Sequence, residues 1–224
     1  MKKIGIVCAL ADEAKNIIES ISLRKEIKYL FANFTQGVIN GKDVVVSCCG
    51  IGGASAEIAT RILINKFEID HMIILGTAGG ISPRVKVGDA VILEDIILYN
   101  HENDDINGCS LNPYVFDCDD MLREKAKKAC LSVMGTDRVV MGRIATVDTF
   151  VDSSDFKEDI YMKCNADCVE MESGYIAKVC NDYNVPFVVV RVISDQSDRF
   201  ATDCFKANID NISSKLKEIV IKIL

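Results

Sequence analysis

Histidine and tryptophan are almost missing from this chain, with two histidines and no tryptophan among 224 residues. His71 and His101 lie far apart and neither follows a strand that would present it. Catalysis through a Ser-His-Asp or Cys-His pair is therefore not expected, and proton transfer falls to carboxylates. No Cys-x-x-Cys pair occurs despite ten cysteines, and no histidine stands near Cys164 and Cys168, so a zinc site is not expected. Long basic runs are also missing. A net charge of −7 and a pI near 5.0 argue against nucleic acid or an anionic membrane surface as partner and leave a small molecule or another protein chain. No apolar stretch approaches the ~18 residues of a membrane helix. Three prolines leave little room for a hinge, and no repeat, low-complexity segment or linker interrupts the chain, so one domain over residues 1–224 is expected.

The cysteines do not suggest a disulfide framework, because the chain is not short and its start does not resemble a signal peptide. The apolar run in MKKIGIVCAL meets Asp12 and Glu13 with no small-residue cleavage site and is expected to be a first buried strand. The thiols are then reduced and act as small hydrophobes, which fits a cytoplasmic protein.

Apolar runs of strand length alternate with helical patterns. KIGIVCAL is followed by ADEAKNIIESI, a hairpin at Asn40-Gly41, GGASAEIATRILINKF and HMIILGTAGG. DAVILEDIIL, RVVMGRIATVDTF and PFVVVRVISD are expected as strands, and DDMLREKAKKACLSVM, SGYIAKVCNDY and FKANIDNISSKLKEIVIKIL as helices. This ordering predicts an α/β fold, a mixed central β-sheet flanked by helices in a three-layer sandwich. The run Phe187 to Ile193 suits a strand covered on both faces. Arg84 and the KAKK run from Lys125 fit a solvated surface.

Ligands in such folds bind beyond the carboxyl ends of the strands. There the sequence places Asp12 and Glu13, GIGG at 50–53, GTAGG at 76–80, Asp148 to Phe150, and Ser194 to Asp198. The glycines permit tight turns or close ligand approach, but neither Gly-x-Gly-x-x-Gly nor a P-loop Gly-Lys-Ser/Thr is present. The stretch VEMESGY from residue 169 sets two glutamates among apolar neighbours, and glutamate is rarely buried unless paired or used. If the stretch is extended, Glu170 and Glu172 project to one side and suit a ribose diol. Simpler roles stand beside these: Asp195 as a turn or cap residue, Glu13 as a first-turn charge, and Met171 and Phe150 as core.

GIVCALADE, CGIGGASAE, ILGTAGGISPRVKVGD, TVDTFV and VEMESGYIAKVCNDYNVPFVVVRVISDQSD, with Phe205 beyond, give the chain a resemblance to the 5′-methylthioadenosine/S-adenosylhomocysteine nucleosidases of the nucleoside phosphorylase superfamily. The resemblance implies hydrolysis of an adenine nucleoside with a 5′-thio substituent, without metal or cofactor, in a homodimer. Carried over by position, Asp195 would protonate N7 of the purine and Glu13 would activate water. Glu172 would accept from the ribose hydroxyls, with Met171 packing on the sugar and Glu170 fixing that geometry. Phe150 would stack on the base while the Val151 backbone reads its edge. Thr77, Ala78, Ser194 and Arg191 would line the site, and Ile51 and Phe205 would contact the 5′ substituent.

The chain departs from the family pattern in the segment from Asn100 to Asp117, which lacks an expected aromatic pair. This leaves the 5′ preference open, with Tyr114 or Phe116 as substitutes. MIIL before Gly76 lacks the arginine with which a purine or uridine nucleoside phosphorylase would hold phosphate. A futalosine hydrolase or a nucleoside-binding protein without catalysis are the other readings.

Overall fold

Residue parity along the strands sorts the core. In β1 (Lys3–Cys8), Ile4, Ile6 and Cys8 face one apolar cluster and Val7 the other. In β10 (Phe187–Asp195), Val188, Val190 and Val192 join the first cluster, and Phe187, Val189 and Ile193 the second. Every residue of β10 is buried, as its continuous Val/Ile run predicts for a strand covered on both faces. The computed structural model describes residues 3–99 and 114–224. Most of the departing segment, residues 100–113, lies outside the described residues.

Between these strands run α1 (Ala11–Glu19), β2 (Ser22–Tyr29), β3 (Ala32–Ile39), β4 (Lys42–Cys48), α2 (Gly53–Phe67), β5 (His71–Gly80) and β6 (Ala90–Leu98). Then follow β7 (Tyr114–Asp117), α3 (Asp120–Met134), β8 (Val139–Thr146), α4 (Ser154–Cys164), β9 (Cys168–Glu170) and α5 (Ser173–Asp182). The closing helix α6 (Ala201–Ile223) begins four residues before the predicted Phe205. The Asn40-Gly41 turn is as predicted: both residues have positive φ, +50 and +72, the combination a tight hairpin needs. β2 and α4 escaped the sequence reading because their apolar signal is weak. β2 is almost wholly exposed, and α4 buries only Ile160 and Cys164.

The strands form one mixed sheet in the order β10-β6-β8-β9-β5-β1-β4-β3-β2, with β7 on β6. β10 also pairs with β5, so β5, β10, β6, β8 and β9 close into a ring, while β1, β4, β3 and β2 extend it as an open wing. Helices α1, α3 and α6 cover one face and α2 and α5 the other, with α4 over a third, smaller cluster that includes Ile160 and Cys164. Phe116 packs against this chain's own main core. Arg84 is not simply solvated, because its guanidinium holds buried Asp167 at 3.0 Å. Nine cysteines are free among the described residues, and in the same set no helix is long and apolar enough to cross a membrane.

Candidate active site

Four connections empty into one cavity of about 460 Å³: those after β1, β4, β8 and β10, with the end of β5, the bend after β9 and the face of α6 completing its wall. That volume suits a small organic ligand. Of the residues singled out by sequence, Glu13, Ile51, Thr77, Ala78, Phe150 and Val151 line it. So do Glu170, Met171, Glu172, Ser194, Asp195 and Phe205. Arg191 does not, contrary to expectation.

Glu13 stands in the first turn of α1, where it serves the helix and the cavity together. Its Oε2 accepts the Ala9 and Leu10 amides at 3.1 and 3.0 Å, satisfying donors that precede the helix. Its Oε1 accepts the Thr77 amide at 2.7 Å and the Thr77 hydroxyl at 2.8 Å. The carboxylate is thereby fixed between the ends of β1 and β5.

The VEMES segment differs from the extended reading. β9 ends at Glu170, and Glu172 already occupies the N-cap position of α5 with φ −131° and ψ −37°, so the two glutamates do not share one strand face. The open amides of the new helix turn hold Glu170, while Glu172 turns to the loop before α2. Glu170 Oε2 accepts the amides of Glu172 and Ser173 at 3.0 and 2.8 Å, and its Oε1 accepts the Thr146 hydroxyl. Glu170 is thus a capping residue. Glu172 Oε1 accepts the Gly52 amide at 2.7 Å. Gly52 has φ +93°, which turns its N–H toward the carboxylate and which a residue with a Cβ adopts only with strain. Burial, followed by repulsion from Glu170, pushes the Glu172 carboxyl up to about 7, against the pull of Arg191 and the Gly52 amide.

Arg191 is fully buried behind this wall and bonds Glu170 Oε2 and the Ser173 hydroxyl. Its route is open because Gly76, its partner in register on β5, has no side chain: a Cβ there would stand 2.1 Å from Arg191 Nη1 and 2.9 Å from Glu13 Oε1. Burial works against the guanidinium charge, but Glu170, Glu13 and Glu172 together raise its pKa above the ordinary arginine value. One buried cation thus compensates several buried carboxylates, which would be costly alone.

Asp195 ends β10 at a register shift against β5. Burial raises its pKa, partly offset by the Ser194 hydroxyl donating to Oδ2 at 2.7 Å and the Ser197 amide to Oδ1 at 2.8 Å. The cavity therefore holds two carboxyls raised by burial, Asp195 and Glu172, and one carboxylate, Glu13, clamped by four donors. Ser197, Thr202 and Lys206 line the cavity without having been foreseen. Ser197 was legible as a turn donor two residues after an aspartate. Thr202 and Lys206 fall on one helix face with Phe205 only once α6 is extended back to Ala201.

The chain matches the family model described as Phosphorylase superfamily over residues 3–224. The 5′-methylthioadenosine/S-adenosylhomocysteine nucleosidase of Shewanella denitrificans is 36% identical over 206 residues, covering 88% of this chain and 87% of that one. The nucleosidase of the same name from Neisseria meningitidis, solved in complex with methylthio-immucillin-A, superposes with a TM-score of 0.91 at 28% identity, covering 100% of this chain and 98% of that one. Its counterpart from Colwellia psychrerythraea 34H, in complex with adenine, gives 0.90 at 29% identity, with 99% and 94% covered. Sequence and architecture together make this chain a member of the phosphorylase superfamily and, within it, of the 5′-methylthioadenosine/S-adenosylhomocysteine nucleosidase family.

Proposed function

We propose that this chain hydrolyses the N-glycosidic bond of 5′-methylthioadenosine and S-adenosylhomocysteine, releasing adenine and the 5-thio-ribose product. The observation that carries this reading is the pairing, in one cavity, of Asp195, raised by burial, with Glu13, fixed by four donors. A carboxyl raised toward neutrality can donate a proton, and an ionised one can take a proton from water. Asp195 protonates N7 of the purine, the C1′–N9 bond breaks toward the base, and the sugar becomes oxocarbenium-like. Glu13 takes a proton from the water whose oxygen adds to C1′. The Thr77 hydroxyl rotates away to free an Oε1 lone pair for that proton.

Glu172 accepts from the ribose diol, with Met171 against the sugar. Phe150 and the Val151 backbone hold the base, Ala78 and Ser194 floor the site, and Ile51 and Phe205 meet the 5′ group. Water rather than phosphate is the nucleophile in this reading, supported by the lack of any arginine among the described lining residues. We also propose that residues 1–224 act as one domain, in a cytoplasmic homodimer. The continuous sheet and the free thiols favour the first two points, and an exposed apolar face the third.

The test is chromatography of products from methylthioadenosine, adenosylhomocysteine, adenosine, inosine and futalosine, each with and without phosphate. Adenine and a free 5-thio sugar should form from the first two without phosphate, and a sugar 1-phosphate would make the chain a phosphorylase. Asp195→Asn should lower kcat by about a hundredfold to ten-thousandfold, the span of general acid catalysis, while nucleoside binding persists. Binding without turnover by the native chain would make it a nucleoside-binding protein.

A further inference from the structure

The charged residues on the floor of the cavity, Glu13, Glu170, Glu172 and Asp195, are all buried acids. Its mouth is different. Ile51, Thr149, Phe150, Thr202 and Lys206 are the exposed lining residues, and Lys206 is the only cation among the described residues that line the cavity. It reaches the mouth because Thr202, Phe205 and Lys206 follow the i, i+3, i+4 spacing of one helix face in the first turns of α6. Asp203 and Asp210 lie one turn to either side, yet Lys206 forms no ion pair or hydrogen bond among the described residues. A flexible lysine can lay its apolar stem along a wall and hold its ammonium in water at the rim.

We propose that Lys206 is a specificity-determining residue that receives a carboxylate carried on the 5′ substituent, so that carboxylate-bearing 5′-thio groups are favoured over alkylthio groups without one. The inference rests on the nucleosidase reading above. With the base at Asp195 and the diol at Glu172, the nucleoside fills the acidic floor and its 5′ carbon leaves along Phe205 and Ile51 toward the mouth. A carboxylate on a short chain would be repelled by the floor carboxylates and, among the described lining residues, meets its opposite charge only at Lys206. A methylthio group ends within the apolar wall and gains nothing from it.

The experiment compares kcat/KM for S-adenosylhomocysteine, its carboxamide and methylthioadenosine in the native protein and in Lys206→Ala, Lys206→Glu and Lys206→Arg. Lys206→Ala should lower kcat/KM for adenosylhomocysteine about two- to fivefold, chiefly through KM, as expected for an exposed ion pair. Lys206→Glu should lower it further, Lys206→Arg should retain it, methylthioadenosine should be nearly unaffected, and the carboxamide, whose remaining ammonium makes it a cation, should lose nothing in any of the variants. Added salt should erode the preference of the native protein and leave that of Lys206→Ala unchanged. Equal losses on all three substrates, or no loss on any, would overturn the role of Lys206 alone. No turnover of any of them by the native protein would overturn the nucleosidase reading, and this inference with it.

Discussion

Glu170 and Glu172 are two positions apart and have opposite tasks, which the sequence could suggest only in part. Their residue type marked them, because buried glutamate calls for a partner or a use. The division of labour depends on where β9 stops and α5 begins. Glu170 is saturated by Arg191, Thr146 and two amides, whereas Glu172 has a single donor among the described residues, the Gly52 amide, which leaves it open to a ligand hydroxyl. Its burial is destabilising. Burial raises the folded Glu172 carboxyl from its ordinary 4.5 to about 7, so between those two pH values the unfolded chain has released a proton that the folded chain still holds. Stability therefore falls as pH rises through this window, by at most about 3 kcal/mol for such a shift. Glu172→Gln keeps an acceptor for Gly52 but carries no titrating proton. In urea unfolding, its stability relative to the native protein should rise between pH 5 and pH 8, and a difference that does not change with pH would refute the burial of an ionising carboxyl here. The same variant should lose ribose recognition, so stability and activity move in opposite directions.

At the scale of elements, the strands that build the site were legible and their mutual contacts were not. The Val/Ile run of β10 and the glycines of β5 could be read, but their pairing places Arg191 opposite Gly76, and this turned an expected lining residue into a buried counter-ion. The vacant Cβ position on β5 is what lets the guanidinium reach Glu170 while passing Glu13. Gly76→Ala should therefore act on both stability and catalysis. Overpacking at rigid groups costs about 1–3 kcal/mol, so the denaturation midpoint should fall accordingly, and displacement of Glu13 should lower kcat more than it raises KM. Gly41, which has open space around its missing Cβ, provides the contrast: Gly41→Ala should cost stability only through its positive φ and leave kcat unchanged. A Gly76→Ala protein with native kinetics would show that Arg191 and Glu13 do not depend on that gap.

The whole molecule adds closure, which depends on a contact too short to read. β9 meets β5 through only two residue pairs, Gly79 with Val169 and Gly80 with Cys168, yet this contact brings Glu170 and Glu172 to the same end of the sheet as Glu13 and Asp195. An alternating pattern of strands and helices identifies the layers but carries no signal for a two-pair junction. The open wing ends in β2, whose hairpin tip exposes Leu30 at 66% and Phe31 at 49%. Tyr29 of the same tip and Ile58 of α2 line one shallow surface depression with Arg61, and α2 begins just after Ile51, which is 62% exposed at the cavity mouth. Exposed apolar side chains of this kind suit the homodimer proposed above, which would close most simply about a two-fold axis. Pairing across α2 would cover Ile58 and bring a second chain beside the mouth, leaving the acidic floor untouched. Sedimentation equilibrium of the native protein at micromolar concentration should give twice the 24.7 kDa of one chain. Ile58→Asp, a partly exposed position outside the cavity, should shift this to a single chain with an unchanged circular dichroism spectrum. A native protein that sediments as one chain would refute the dimer, and a dimer indifferent to Ile58→Asp would move its interface off α2.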